Sequence, residues 1–133
     1  MPLFNKKPKV RPELEQEITQ LCEQHNEILL VSLCTTDGFS IKAVAAKSLK
    51  AEADRLAAMS STIAALSDSS AKQVMKDDFT LTIVETASGN LLFISTEYMG
   101  TPCVLTIAAK ANMPLATVRF NTKRLSDKIK QMA

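Results

Sequence analysis

The sequence is poor in the residues that build most small catalytic and metal centres. Its 133 residues include three glycines, three cysteines, one histidine and no tryptophan. Gly38, Gly89 and Gly100 are too far apart for the glycine-rich loops of dinucleotide-binding or P-loop proteins. His25 is the single histidine available as a general base, and it falls at the end of a predicted helix. We therefore predict no enzymatic activity, no catalytic residue, no cofactor and no metal site.

Cysteine usage and the absence of long apolar runs predict the cellular compartment of the protein. Cys22, Cys34 and Cys103 are an odd number with no close pair, which is typical of buried free thiols in a reducing compartment. The apolar run Ile28–Val31 is far shorter than the roughly 18 residues that span a bilayer. The first residues lack the apolar stretch of a signal peptide. These features predict a soluble, cytoplasmic protein without membrane insertion.

The net charge of +2 conceals an uneven distribution along the chain. Residues 1–11 contain Lys6, Lys7, Lys9 and Arg11 and no acidic residue, whereas the remainder holds 12 basic and 14 acidic residues. The first segment also has two prolines, so we predict a flexible basic arm over 1–11. Because the remainder is slightly acidic, nucleic-acid binding is disfavoured. Apolar residues make up 46% of the chain, which predicts one folded domain over 12–133.

Hydrophobic periodicity predicts the order of the secondary-structure elements. Helical spacing and strand alternation interchange along the chain, and turn residues separate the strands. The predicted elements are helix 12–24, strands 28–35 and 39–45, helix 49–74, strands 79–83, 91–98 and 103–108, and a helix from Asn112 to Met132. This order, α-β-β-α-β-β-β-α, predicts an α+β domain with a single five-stranded antiparallel sheet and helices on both faces. Phe120 lies off the apolar stripe of the last helix, so either the helix is irregular there or Phe120 is a partly exposed apolar residue; we favour the irregular helix.

Two adjacent stripes run along the second predicted helix. Bulky residues form one stripe: Leu49, Leu56, Met59, Ile63, Leu66 and Val74. Small residues form the other: Ala53, Ala57, Ser60, Ala64, Ser67 and Ala71. Alanine and serine are also ordinary residues of a solvated helix surface, which is the alternative for this stripe. Because small residues at helical spacing let two helices approach closely, we predict that the second stripe contacts the same helix of a second subunit.

Four segments in this order give the chain its family likeness. They are ILLVSLCTTDGFSIKAVA, AEADRLAAMSSTIAALSDSSAKQ, FTLTIVETASGNLLFISTEY and CVLTIAAKANMPLATVRFNTKRLSDKI. Over residues 12–132 the chain resembles the roadblock family, which includes a dynein light chain and the MglB-like bacterial regulators of small GTPases. The resemblance implies a homodimer in which the third strand, with Thr80 and Thr82, pairs with its copy while the second helices pack together. It also implies a non-enzymatic regulator or scaffold whose partner is a Ras-like, MglA-like GTPase.

Two other functions remain open at this point. A small-molecule sensor domain of similar size is one, although it needs a pocket inside the sheet and the strands are bulky on both faces. The other is a binder of nucleic acid or anionic surfaces that uses the basic arm and the last helix. Its basic residues there are Arg119, Lys123, Arg124, Lys128 and Lys130.

Overall fold

The structure, a computed structural model, describes residues 8–49 and 52–133. Three helices and five strands follow the predicted order. The elements are α1 (Pro12–Gln24), β1 (Ile28–Thr35), β2 (Ser40–Ala45), α2 (Ala53–Ser70), β3 (Leu81–Thr86), β4 (Gly89–Tyr98), β5 (Thr101–Lys110) and α3 (Leu115–Gln131). One π-helical turn, Ala71–Met75, extends α2 at its end. The predicted fold class and element order are confirmed.

All five strands join one antiparallel sheet in the order β2-β1-β5-β4-β3. The hairpins β1–β2 and β4–β5 are joined through the pairing of β1 with β5, which places Leu33 opposite Leu105. Consequently β1, β5 and β4 lie inside the sheet, and β2 and β3 form its two edges. Edge strands keep one row of backbone donors and acceptors unpaired within the sheet.

The helices cover the two faces unequally. On one face α1 and α3 bury the larger core, to which Leu14, Ile18 and Ile129 contribute side chains that are fully buried. On the other face α2 lies alone over a smaller cluster that includes Phe93 and Val104. Since successive strand residues point to opposite faces, the bulky residues of both parities in β1 are explained by these two layers.

The first helix begins where its sequence predicts. Pro12 occupies the first helical position, and Glu13 and Glu15 lie in the first turn, where acidic side chains complement the positive end of the helix dipole. The chain just before α1 is held by Tyr98, whose hydroxyl donates to the carbonyl oxygen of Lys9 at 2.6 Å. The same hydroxyl accepts from the backbone N–H of Arg11 at 2.9 Å. This tyrosine ties the start of the domain to the end of β4.

The structure differs from two sequence-based predictions and describes only part of the segment of a third. Residues 1–7 of the predicted flexible arm lie outside the described residues, and its last residues, Lys9 to Arg11, are held by Tyr98. The second helix begins at Ala53 and not at Leu49. The last helix is α-helical through Phe120, whose side chain is 63% exposed, so the expected irregularity is wrong. An isolated exposed aromatic residue does not disturb helical hydrogen bonding.

Candidate interaction surface

The third strand is an edge strand with one face over the core and the other toward α2. Leu81 and Ile83 pack against the α1 and α3 core, so the alternate residues Thr82 and Val84 face the side of α2. The Thr82 hydroxyl lies 2.6 Å from the hydroxyl of Ser67 on α2. Because β4 is the only strand neighbour of β3, the opposite edge of β3 has no strand partner among the described residues. Such an edge is a template for pairing with another strand.

The stripe of small residues on α2 faces the sheet of its own chain. Ala57 and Ser60 are fully buried, and Ala64 is 8% exposed. The hydroxyl of Thr106 on β5 donates to the hydroxyl of Ser60 at 2.9 Å, and the Cys34 thiol on β1 contacts the Ala57 carbonyl oxygen at 3.7 Å. These three α2 side chains are therefore covered by the sheet of their own chain, and their contact with a second helix stays a prediction.

The other residues predicted for the dimer contact lie at the margin of this buried stripe. Ala53, in the first turn of α2, and Thr80, just before β3, are exposed. Ser67, Ala71 and Thr82 are half-buried. All of them except Ala53 line one shallow surface between the end of α2 and the start of β3. The structure brings this subset together, and its role in dimerisation stays a prediction.

Part of the bulky stripe of α2 is left uncovered by the chain. Met59 is 39% exposed, Leu66 65% and Val74 76%. Met75, which the sequence analysis did not select, is 72% exposed on the π-helical turn. Isolated exposed apolar residues are common, but several on one helix beside an edge strand indicate a contact surface. We call Met59, Leu66, Val74 and Met75 the outer stripe.

A groove of about 750 Å³ continues the outer stripe along α2. It runs between the first turns of the helix and the sheet, and it is mostly apolar. Its central residues are Leu30, Leu56, Met59, Leu91 and Ala108. The groove lies between α2 and the sheet, whereas a sensor domain needs a pocket inside the sheet. Because Met59 belongs to both, the groove and the outer stripe form one apolar surface.

Two buried cysteines have thiols with raised pKa values. Burial raises the pKa of the Cys34 thiol to about 11 and that of Cys103 to about 12, so both thiols stay protonated at neutral pH. Lys72 donates to a carboxylate oxygen of Asp68 at 2.8 Å, which holds the pKa of this exposed carboxyl below its ordinary value. Within residues 8–49 and 52–133, no three His, Cys, Asp or Glu side chains are grouped so that they would hold a metal ion.

The basic residues of α3 are placed beside an acidic helix. Lys128 binds Glu17 of α1 with an N–O distance of 3.1 Å. The other basic residues of α3 are exposed: Arg119, Lys123, Arg124 and Lys130. Because α1 carries only acidic charges, a polyanion approaching this face meets charges of both signs. The placement of these residues therefore weakens the nucleic-acid and anionic-surface alternative.

A match to a protein-family profile identifies the domain. The profile of the Roadblock/LC7 domain matches residues 14–100, from α1 to the turn after β4. The chain belongs to the Roadblock/LC7 domain family. The resemblance predicted from the sequence is thereby confirmed, and the roadblock domain comprises the edge strand β3 and the outer stripe described above.

Solved structures of other proteins share this roadblock fold over nearly their whole length. Myxococcus xanthus MglB matches at 19% identity with a TM-score of 0.78, covering 90% of this chain and 94% of that one. The gliding protein MglB from Thermus thermophilus matches at 17% identity with a TM-score of 0.75, covering 96% of each chain. A Roadblock/LC7 domain from Streptomyces avermitilis matches at 18% identity with a TM-score of 0.76, covering 92% of this chain and 96% of that one.

The structural similarities establish the fold, and the family match establishes the general class of the protein. A comparison with curated protein sequences finds no match. At such low identities the structural similarities show the fold alone. Membership of the family indicates a small regulatory or scaffold domain. No helix in the described part of the chain is long and apolar enough to cross a membrane.

Proposed function

We propose that this roadblock domain is a non-enzymatic, cytoplasmic homodimer that binds a Ras-like, MglA-like small GTPase as a regulator or scaffold. The observation that supports it best is the outer stripe of α2 lying beside the unpaired edge of β3. An apolar helix face and a free strand edge on the same side of a domain are what a two-fold symmetric partner covers together. The family resemblance supports the same dimer and the same class of partner.

The dimer joins two copies through one symmetric surface. Two β3 strands related by a two-fold axis run antiparallel, so their edges form the hydrogen bonds of an antiparallel ladder. The same axis brings the outer stripes of the two α2 helices toward each other and covers Leu66 and Met59. Burying apolar side chains of this size contributes about 1.5–3 kcal/mol for each that becomes fully covered. The stripe of small residues keeps its contact with the sheet in each subunit.

A variant of Leu66 tests the dimer. Leu66→Asp places a carboxylate in the middle of the apolar contact, and burying it without a partner costs at least about 2 kcal/mol, so dimerisation weakens at least about thirtyfold. Because Leu66 is 65% exposed in the single chain, folding is expected to survive. Light scattering at micromolar concentration measures the mass of both proteins.

The neighbouring exposed residue Ala65 supplies a matched control. Ala65→Asp adds the same charge one position along α2, outside the outer stripe, and the dimer is expected to persist. A monomeric wild-type protein contradicts the proposed homodimer. A dimer that resists Leu66→Asp contradicts its proposed interface.

A GTPase partner is tested by its response to the bound nucleotide. Ras-like proteins order their switch loops around the γ-phosphate, so a regulator that contacts these loops binds the two nucleotide states with different free energies. We expect an MglA-like GTPase loaded with a non-hydrolysable GTP analogue to bind at least about tenfold more tightly than its GDP form, which corresponds to about 1.4 kcal/mol. Titration calorimetry with both forms measures this difference.

The dimer and the partner are linked in this proposal. Because both α2 helices contribute to the surface that is offered to the GTPase, Leu66→Asp is expected to weaken binding, and Ala65→Asp is not. Equal affinity for both nucleotide forms leaves a scaffold and refutes a regulator. Absence of binding to either form refutes the GTPase partner itself. Nucleotide hydrolysis by the purified domain, surviving repurification, contradicts the non-enzymatic assignment.

A further inference from the structure

Two oppositely charged helices lie side by side on the face of the sheet opposite α2. Their directions are antiparallel, because the start of α1 meets the end of α3. The Arg11 guanidinium donates to the carbonyl oxygen of Ala133, and Lys128 binds Glu17 two turns of helix farther along. A shallow groove between the helices is lined by Gln20 and Asn121 among others. We call the outer surface of this helix pair the α1/α3 layer.

The charges of the two helices are equal and opposite. α1 contains Glu13, Glu15, Glu17 and Glu23 with no basic residue, which gives −4. α3 contains five basic residues and Asp127, which gives +4. Apart from Asp127, the two signs of charge are separated between the neighbouring helices, which is an unusual pattern because mixed surface charges normally alternate.

Few of these charges are neutralised within the chain. In the described part of the structure, one ion pair, Glu17 with Lys128, joins α1 to α3, and Glu15 binds Lys42 of β2 at 3.3 Å. Glu13 and Glu23 remain exposed on α1. The exposed basic residues of α3 form no ion pair with a described residue: Arg119, Lys123, Arg124 and Lys130. The layer therefore presents a negative strip on α1 and a positive strip on α3, in which half of the acidic residues of α1 and four of the five basic residues of α3 form no ion pair with a described residue.

An aromatic side chain stands in the middle of the positive strip. Phe120 is 63% exposed, and the Arg124 guanidinium carbon lies 5.9 Å from the centre of its ring. A cation held near an aromatic face leaves the other face of the ring open to an apolar or polar neighbour. Aromatic and arginine side chains are enriched at the centres of protein interfaces.

We infer that the α1/α3 layer is a second self-association surface, whose partner is the same layer of another copy of this chain. When two such layers face each other, a two-fold axis parallel to the helices places α1 of each copy over α3 of the other. Each negative strip then lies on a positive strip. An axis across the helices places like strips together, which electrostatic repulsion opposes. The charge pattern thus selects one symmetric arrangement.

The internal register of the layer brings particular residues together. The two-fold axis does not change a residue's height, that is, its position along the helix direction. The contact between Glu17 and Lys128 therefore fixes which residues of α1 and α3 have the same height. At about 1.5 Å per residue, Glu23 lies about 9 Å along α1 from this contact and Lys123 about 7.5 Å along α3 in the same direction. Glu23 of one copy therefore meets Lys123 of the other at almost the same height. The symmetry forms this pair twice.

A second copy fits this surface better than a polyanion does. A membrane surface or a DNA duplex presents one sign of charge across the whole layer, so the four acidic residues of α1 oppose what α3 attracts. Only a partner that alternates in sign at the spacing of two packed helices complements both strips. The chain itself is such a partner.

The size of the layer predicts a weak and salt-sensitive association. α3, with 17 residues, is about 25 Å long, and two helices are about 20 Å wide, so the layer offers about 500 Å² on each copy. A total of about 1,000 Å² is at the lower limit for a specific interface. We therefore expect association at micromolar or higher concentration that decreases as salt screens the charges.

This inference is independent of the proposed dimer, because the layer contains neither β3 nor α2. Sedimentation of the full chain separates the two. At about 0.5 M salt, where surface charges are screened, the mass reports the proposed dimer. At about 0.02 M salt the layer is expected to double that mass or to extend it into longer assemblies. If either the proposed dimer or the α1/α3 contact does not form, association through the other is still measured.

Charge reversal tests the pairing of residues. Glu23→Lys and Lys123→Glu are each expected to weaken the low-salt association about tenfold or more, because each variant converts both symmetric pairs to repulsion. An equimolar mixture of the two variants restores opposite charges at both contacts, so association is expected to return. Lys47→Glu, the same change at an exposed site outside the layer, is the matched control and is expected to associate like the wild type.

Several results overturn the inference. The first is equal mass at low and high salt. The second is loss of association in both single variants without recovery in their mixture. The third is binding of vesicles containing an anionic lipid, or of duplex DNA, that Lys123→Glu abolishes in a chain that does not self-associate. That last result assigns the positive strip to a polyanion.

Discussion

Enlarging Ala57 tests which side of α2 packs against the sheet. Ala57 is fully buried, its carbonyl oxygen contacts the Cys34 thiol, and it belongs to the cluster that contains Phe93 and Val104. Ala57→Leu adds an isopropyl group where no solvent-filled space adjoins the side chain. The added atoms force α2 away from the sheet or into unfavourable rotamers.

Overpacking of this kind costs about 1–3 kcal/mol. At about 2.1 cal/mol/K per residue, the unfolding entropy of the 133-residue chain is about 0.28 kcal/mol/K. The expected decrease in melting temperature is therefore about 4–11 °C. Lifting α2 also strains the hydrogen bond between Ser60 and Thr106, so the upper part of this range is expected. Calorimetry measures the melting temperature, and urea unfolding measures the free energy of unfolding.

Ala58→Leu is the matched control for this prediction. Ala58 is the next residue of α2 and is exposed, and leucine is nearly as good a helix former as alanine. Its effect on the free energy of unfolding is expected to stay within about 0.5 kcal/mol. If Ala57→Leu is as stable as the wild type but no longer dimerises, the stripe of small residues is a contact between subunits and our description of α2 is refuted.

Three further perturbations probe the fold. Gly89→Ala places a Cβ against the carbonyl oxygen of Ala109, well inside van der Waals contact. The free energy of unfolding, measured by chemical denaturation, is expected to decrease by about 2–4 kcal/mol. A variant as stable as the wild type refutes this close approach. Tyr98→Phe removes the hydroxyl that forms hydrogen bonds with the chain before α1. The free energy of unfolding is expected to decrease by about 1 kcal/mol, and amide exchange in that segment is expected to become faster. Unchanged amide exchange contradicts these hydrogen bonds. Burial raises the pKa values of Cys34 and Cys103 to about 11 and 12 from an ordinary value of 9.0. The contribution of the two protonated thiols to stability is therefore complete below pH 9 and decreases as pH rises toward 12. Alkaline unfolding that Cys34→Ser leaves unchanged argues against these thiols as the cause of the pH dependence.

The order of helices and strands was available from the sequence alone. Periodicity along α1, alternation along β3 and turn residues at Gly38 and Gly89 are local signals, and local signals are sufficient to define elements. The fold class followed, because two hairpins separated by helices in a short chain have few compact arrangements. Family membership followed from the same order, and the profile match confirms it.

The candidate surface was only partly available. Both stripes of α2 are visible in the sequence, and the family resemblance added Thr80 and Thr82 to the predicted dimer contact. Ala57, Ser60 and Ala64 pack on the sheet of their own chain, which their spacing alone did not indicate. Spacing along a helix identifies its faces but contains no information about what each face meets.

Tertiary structure decided the orientation of α2 and the composition of the α1/α3 layer. The face under α2 carries Thr106 and Phe93, which come from strands paired across the sheet, and it accepts the small residues of α2 at close distance. Met59, Leu66 and Val74 are left exposed for that reason. Likewise α1 and α3 are separated by most of the chain, and only the pairing of β1 with β5 brings Glu17 to Lys128. Composition shows the charge of each helix, but strand pairing makes the two helices neighbours.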